Sequence, residues 1–221
     1  MKYKTCVSIA EKTPARVKKV LDMALSKSEY AEIRLDYIKN AQIPDVLELV
    51  KRRSNRIVYT VRPRSEGGVF AGTEKERISI LKLASEYDPF LLDVELDTLR
   101  KNSGLVSFLK NSSLLVSWHD FKKTPGSQEL GKKMVQMSRF SRNMKMVCMA
   151  RSIDDAVRML EMYSRRGKNS LISFAMGDMG RISRMLCLYL GSPYTYVSLG
   201  RPVAPGQFSV DQIKKMAGLR V

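Results

Sequence analysis

Leu114-Leu115-Val116-Ser117-Trp118-His119-Asp120-Phe121 holds the only histidine and the only tryptophan of the chain. Its apolar half reads as a buried strand over residues 113–118, and its polar half begins where that strand ends. A histidine in that place is either satisfied by a backbone carbonyl or works as a general acid/base, because its proton exchanges most readily near neutral pH. Which reading holds, and which fold carries it, depends on how the other strands end.

Outward from this stretch, strand-like and helix-like segments alternate eight times. The strands read as 5–9, 30–37, 56–62, 90–96, 113–118, 145–150, 170–176 and 194–199. Helix starts are marked by Thr13 before Pro14, by Pro44, by Thr73 with Glu76, by Thr124-Pro125, by Ser152 with Asp155 and by Ser209 with Gln212. Further helices are expected around 99–110 and 180–190. Val17, Val20, Leu21, Ala24 and Leu25 follow helical spacing in the first helix. Eight such units of about 27 residues with short connections point to an α/β fold, a (β/α)8 TIM barrel, with residues 1–221 as a single catalytic domain. A doubly wound open sheet is the alternative, but the glycine-rich loop after its first strand is missing. No linker supports two small domains.

Strand parity then places charge inside the barrel. Glu32, Arg34 and Asp36 share one face, and Ile33, Leu35 and Tyr37 share the other. The helix-facing side must be apolar, so the charged set points into the lumen. The same parity applies to Thr60 and Arg62, to Asp93, Glu95 and Asp97, and to Ser117 and His119. Such charges are costly unless they pair with each other or with a ligand. Their concentration at the strand ends reads as an active site, with an internal ion-pair layer as the plainer alternative.

Lys145 lies in phase with Val147 and Met149. At a strand start it can snorkel as an ordinary lysine. Pointing inward, it would be desolvated and face cations such as Arg34 or Arg62, and the resulting free amine could form a Schiff base with a carbonyl substrate. Met176 to Arg184 joins the seventh strand to its helix, where Arg184 would favour a carboxylate or phosphate. Val203-Ala204-Pro205-Gly206-Gln207 follows the eighth strand as a turn, with Gln207 placed as a lid residue.

The chain has 221 residues, 44% of them hydrophobic, and a formal charge of +17. No apolar run approaches the roughly 18 residues of a membrane span, and no signal-peptide pattern follows Met1. The expected location is the cytoplasm, with no membrane partner. Cys6, Cys148 and Cys187 have no metal-ligand spacing and read as reduced core cysteines. The basic residues are scattered without a nucleic-acid motif, so nucleic acid is not expected as a partner, and the charge suits an anionic small molecule.

Together these pieces resemble type I 3-dehydroquinate dehydratase, the Schiff-base enzyme of the shikimate pathway. The matching segments, in the family's order over most of the chain, are Glu32 to Asp36, Thr60-Val61-Arg62 with Glu66-Gly67-Gly68, Ser117 to Phe121 with Thr124-Pro125, Lys145, Met176 to Arg184, and Ala204 to Gln207. The resemblance implies dehydration of 3-dehydroquinate to 3-dehydroshikimate without metal or organic cofactor. In that reading Lys145 forms the imine, His119 is the acid/base and Glu66 orients it. Glu32, Arg34 and Arg62 would contact the ring hydroxyls, Arg184 the substrate carboxylate, and Gln207 would close over it. Ser8, at the end of the first strand, could also face the substrate. Val203 stands where many members carry Ser or Thr. A homodimer is left open, since the chain shows no interface signature. Two other functions remain beside this one: a class I-type aldolase using the same lysine, separable by product analysis, and a basic nucleic-acid-binding protein, separable by salt-sensitive binding.

Overall fold

The computed structural model of the protein describes residues 3–218. Eight strands occur in chain order: β1 Thr5–Ile9, β2 Tyr30–Arg34, β3 Ile57–Thr60, β4 Leu91–Glu95, β5 Leu114–Asp120, β6 Asn143–Met149, β7 Ser170–Met176 and β8 Thr195–Val197. Between and after them run α1 Pro14–Lys27, α2 Ile43–Val50, α3 Glu74–Ser85, the short pair α4 Leu96–Lys101 and α5 Ser103–Phe108, α6 Ser127–Ser138, α7 Ile153–Arg165, α8 Ser183–Tyr189 and α9 Val210–Met216. Every ladder is parallel, the strands from β1 to β7 pair in chain order, and β8 returns to pair with β1. Among the described residues no ladder joins β7 to β8, so the ring is a nearly closed (β/α)8 TIM barrel.

Local sequence explains the helix starts. Thr13 accepts from the Arg16 N–H ahead of Pro14, and capping boxes form at Thr73/Glu76, Ser152/Asp155 and Ser209/Gln212. Each satisfies N–H groups that the first helical turn leaves free, at about 1 kcal/mol per cap. Outward strand residues such as Val7, Ile33, Leu92, Val116 and Met146 are fully buried against the helix layer. Burial of each large side chain contributes roughly 1.5–3 kcal/mol. No described helix is long and apolar enough to cross a membrane.

Several expected boundaries move. β2 ends at Arg34, and Leu35–Tyr37 form a 3-10 turn, so Asp36 lies beyond the pleat. β4 ends at Glu95, and Asp97 falls in α4 with its side chain 54% exposed, outside the lumen. Parity holds only while the backbone stays extended, which is why both residues leave the inward row. Thr124-Pro125 does not open a helix. α6 starts at Ser127, and the Thr124 hydroxyl donates instead to the Met149 carbonyl at 2.9 Å. The helix expected over 180–190 begins at Ser183, and the one over 99–110 is broken into α4 and α5 at Asn102.

Candidate active site

Parallel register carries inward-facing residues across the sheet. Thr60 stands opposite Asp93, Glu95 opposite Ser117, and Ser117 opposite Lys145. Directly paired residues point the same way, so one row of polar groups lines the lumen. All nine residues singled out from sequence, Ser8, Glu32, Arg34, Arg62, Glu66, His119, Lys145, Arg184 and Gln207, line a single cavity of about 160 Å³. It opens at the C-terminal mouth of the strands, where barrel enzymes hold their sites.

Lys145 is buried, with Nζ 3.2 Å from Asp93 Oδ2 and 3.6 Å from Glu32 Oε1. The expected cationic neighbours are therefore replaced by carboxylates. β6 faces β2 and β4 across the lumen, and closure of the barrel brings Glu32 and Asp93 to the amine first. The Tyr196 ring lies 4.1 Å from the same Nζ, a favourable site for an ammonium. Arg62 fans out between Asp93 at 2.6 Å and Glu95 and the Ser117 hydroxyl, both at 2.7 Å. Burial works against the Asp93 carboxylate, yet Arg62, Lys145 and the Ser117 hydroxyl hold its pKa down at about 2. Arg34 donates through Nε and Nη2 to the two oxygens of Asp36, whose Oδ2 also accepts from the Val69 N–H. Asp36 thus anchors an arginine from beyond the strand. Thr60 donates to Glu32 at 2.9 Å.

His119 and Glu66 form a pair at 2.8 Å through Nδ1 and Oε2. Burial, then the cations Arg62, Lys145, Arg34 and Arg184, push the imidazolium well below its ordinary range. Burial and then Glu95 push Glu66 up to about 8, against Arg62 and the His119 N–H. The glycines after Glu66 shape its loop. Gly67 has φ 76°, and a Cβ at Gly68 would lie 1.9 Å from the Arg62 carbonyl oxygen.

Arg184 is 2% exposed and meets no carboxylate among the described residues. It lies 4.4 Å from the Phe174 ring centroid, donates through Nη2 to the Pro205 carbonyl at 2.9 Å, and leaves Nε without a partner. Burial lowers its pKa to about 10. Gln207 accepts from the Val203 N–H at 2.8 Å and donates to the Ser8 hydroxyl at 3.3 Å, which ties the lid to β1. Val203 itself lines the cavity.

Sequence reading put Asp93 and Ser117 inside without a role, although both bond the groups around Lys145. It missed Tyr196 and Phe174 altogether. Their signal was the alternation Tyr194-Thr195-Tyr196 and the position of Phe174 between Ile172 and Met176 on the lumen face.

Fold and cavity together define a (β/α)8-barrel enzyme with a cation-rich pocket at the barrel mouth, sized for one small molecule. The chain belongs to the type I 3-dehydroquinase family, a family of hydro-lyases, which it matches over residues 5–220. It is 32% identical over 220 residues to 3-dehydroquinate dehydratase of Methanothermobacter thermautotrophicus, covering 99% of this chain and 97% of that one. The crystal structure of 3-dehydroquinate dehydratase from Geobacillus kaustophilus superposes with a TM-score of 0.90 at 22% identity, over 99% of this chain and 91% of that chain. That of type I 3-dehydroquinate dehydratase from Clostridium difficile, with covalent modified comenic acid, gives 0.87 at 25% identity, over 98% and 92%.

Proposed function

We propose that this protein dehydrates 3-dehydroquinate to 3-dehydroshikimate, in the shikimate pathway, through an imine on Lys145. The observation that carries the reading is that a buried lysine amine and a carboxylate-held histidine wall the same cavity as an arginine with no carboxylate partner among the described residues. Arg184 takes the substrate carboxylate, which completes a guanidinium that has no acidic partner among the described residues. Glu32, Arg34 and Arg62 meet the ring hydroxyls, with Ser8 beside Gln207 under the lid.

His119 takes a proton from the Lys145 ammonium, the freed amine adds to the substrate ketone, and His119 returns the proton to the carbinolamine hydroxyl, which leaves as water to give an iminium. Its positive charge acidifies the neighbouring C–H. His119 takes that proton, the electron pair forms the new C=C, and the hydroxyl on the next carbon leaves as water with the proton His119 has gained. A second water then hydrolyses the iminium, returning the free amine and the conjugated ketone. Glu32 and Asp93, beside Nζ, balance the iminium charge.

The test is intact-protein mass after incubation with 3-dehydroquinate and borohydride, followed by peptide mapping. One substrate-derived adduct on Lys145, absent in Lys145→Met, is expected. No adduct, with substrate unconverted in a parallel run without reductant, would overturn the proposal.

A further inference from the structure

Arg77 is a guanidinium buried to 1% exposure on α3, outside the substrate cavity. Its Nη1 donates to Glu95 Oε2 at 2.6 Å and to the Val61 carbonyl at 3.0 Å. Nε and Nη2 clasp Glu74, both at 2.8 Å, and Nη2 also reaches the Thr98 hydroxyl. The other oxygen of Glu95 accepts from Arg62. Arg62 holds Asp93, and Asp93 holds Lys145. An alternating chain of charges therefore runs from the half-exposed Glu74 through Arg77, Glu95, Arg62 and Asp93 to the lysine. A groove of about 490 Å³ on the rim touches Arg77 and Glu95 on one side and Glu66 and His119 on the other.

We propose that Arg77 is a positioning residue for the reaction: by neutralising Glu95 it keeps Arg62 in place and sets the charge state of the Glu66–His119 pair. The proposal rests on the dehydratase reading above. Glu95 and Arg62 are the charges that weigh most on Glu66, with opposite signs. The pair is also faced by Asp93 from β4, Lys145 from β6, Arg34 from the end of β2 and Arg184 from α8. From the groove side it meets Glu74 and Arg77 of α3 and Asp97 and Lys101 of α4. Of these, Arg77 is the buried cation whose acidic partners, among the described residues, are Glu95 and Glu74. Burial already raises the proton affinity of Glu95; without Arg77 one of its oxygens is left unpaired in the interior while Arg62 holds the other ionised, and that negative charge makes Glu66 hold its proton more tightly.

The experiment is the pH profile of kcat/KM for the wild type, Arg77→Met, Arg77→Lys and Glu74→Gln, each checked by circular dichroism and by borohydride trapping. Arg77→Met is expected to move the acid limb upward by about 0.5 unit or more while still giving the Lys145 adduct at high pH. Arg77→Lys should return most of that shift. A limb that superposes on the wild type or moves down, whatever the loss of rate or melting temperature, overturns the proposal. If Arg77→Met does not fold, Glu74→Gln decides. Removing the surface carboxylate leaves Arg77 less neutralised, so the limb should move down, and an unchanged or raised limb overturns the proposal. A wild type that turns over but forms no adduct would sink the imine reading and not the role of Arg77.

Discussion

Glu66 Oε2 accepts twice from His119, from the backbone N–H at 3.1 Å and from Nδ1 at 2.8 Å. With Glu66 ionised, the oxygen can only accept, so the ring proton sits on Nδ1 and Nε2 keeps its lone pair. One carboxylate oxygen thereby sets both the ring's orientation and its tautomer. When Glu66 is protonated this arrangement is lost.

That gives the first prediction. Glu66 is raised to about 8 and His119 lowered, so the pair holds an extra proton below about 8 and gives it up above. kcat/KM should rise as pH rises through this range. Glu66→Gln should cost about 100-fold in kcat and abolish that inflection. Stability should respond in the opposite sense. The folded state binds the Glu66 proton more tightly than the unfolded chain, whose carboxyl titrates near 4.5. The wild type therefore loses that contribution as pH climbs from about 4.5 to about 8. Glu66→Gln should flatten this slope in urea unfolding.

Much of this site was readable from the chain because strand parity has a period of two and does not depend on tertiary detail. Glu32, Arg34, Arg62, His119 and Lys145 all follow it. Parity fails where the backbone leaves the pleat, as at Asp36 and Asp97, since the point at which a strand tips into a 3-10 turn or a helix is decided by packing at the barrel rim. Partner choice was not legible either. Nothing in the spacing of Lys145 places Asp93 at 3.2 Å, because β4 and β6 are brought together by barrel closure and not by sequence distance. The capping boxes were legible because they are complete within four residues.

The Asp93–Lys145 contact yields the second prediction. Asp93 is 0% exposed and holds Arg62 and Lys145 together. Asp93→Asn should destabilise the fold by about 3–5 kcal/mol, because two buried cations lose their shared carboxylate. Its folded pKa of about 2 lies below the ordinary 3.8. The stability it contributes is present above that ordinary value and is lost as pH falls toward 2. Denaturant unfolding of Asp93→Asn should show a shallower acid loss than the wild type between about pH 4 and 2, and parallel curves would refute the assignment.

Arg184 sets substrate affinity against stability. In the free protein its buried charge is met by one carbonyl and leaves Nε unpaired, so an apolar replacement removes a desolvated cation at little structural cost. Arg184→Met should melt at the wild-type temperature or above. Its KM should rise about 30-fold or more, roughly 2 kcal/mol, with a smaller effect on kcat. Arg184→Lys should recover only part of the affinity, since a lysine cannot grip a carboxylate at two points. Steady-state kinetics and thermal unfolding on the same preparations decide it, and an unchanged KM in Arg184→Met would remove the residue from the carboxylate site.

Gly68 tests whether the loop that carries Glu66 matters as geometry. A Cβ there would stand 1.9 Å from the Arg62 carbonyl oxygen and 2.4 Å from its carbon. Both are backbone atoms, so no side-chain rotation relieves the clash, and the loop must move away from the end of β3. Glu66 lies two residues back and would move with it, lengthening the 2.8 Å contact to Nδ1. Gly68→Ala is therefore expected to cost about 1–3 kcal/mol of stability, the usual range for overpacking. It should also lower kcat by about 10-fold or more, because a small misplacement of the orienting carboxylate weakens the base. A Cβ at the neighbour Gly67 would lie 2.2 Å from the Phe121 ring, a side chain that is 39% exposed and can swing outward. Gly67→Ala meets its main cost in the left-handed backbone instead, about 1 kcal/mol. Kinetics and urea unfolding of the two variants should thus separate: rate and stability both fall in Gly68→Ala, and chiefly stability falls in Gly67→Ala. An unchanged rate in Gly68→Ala would mean that the loop tolerates the shift and that Glu66 is held by His119 alone.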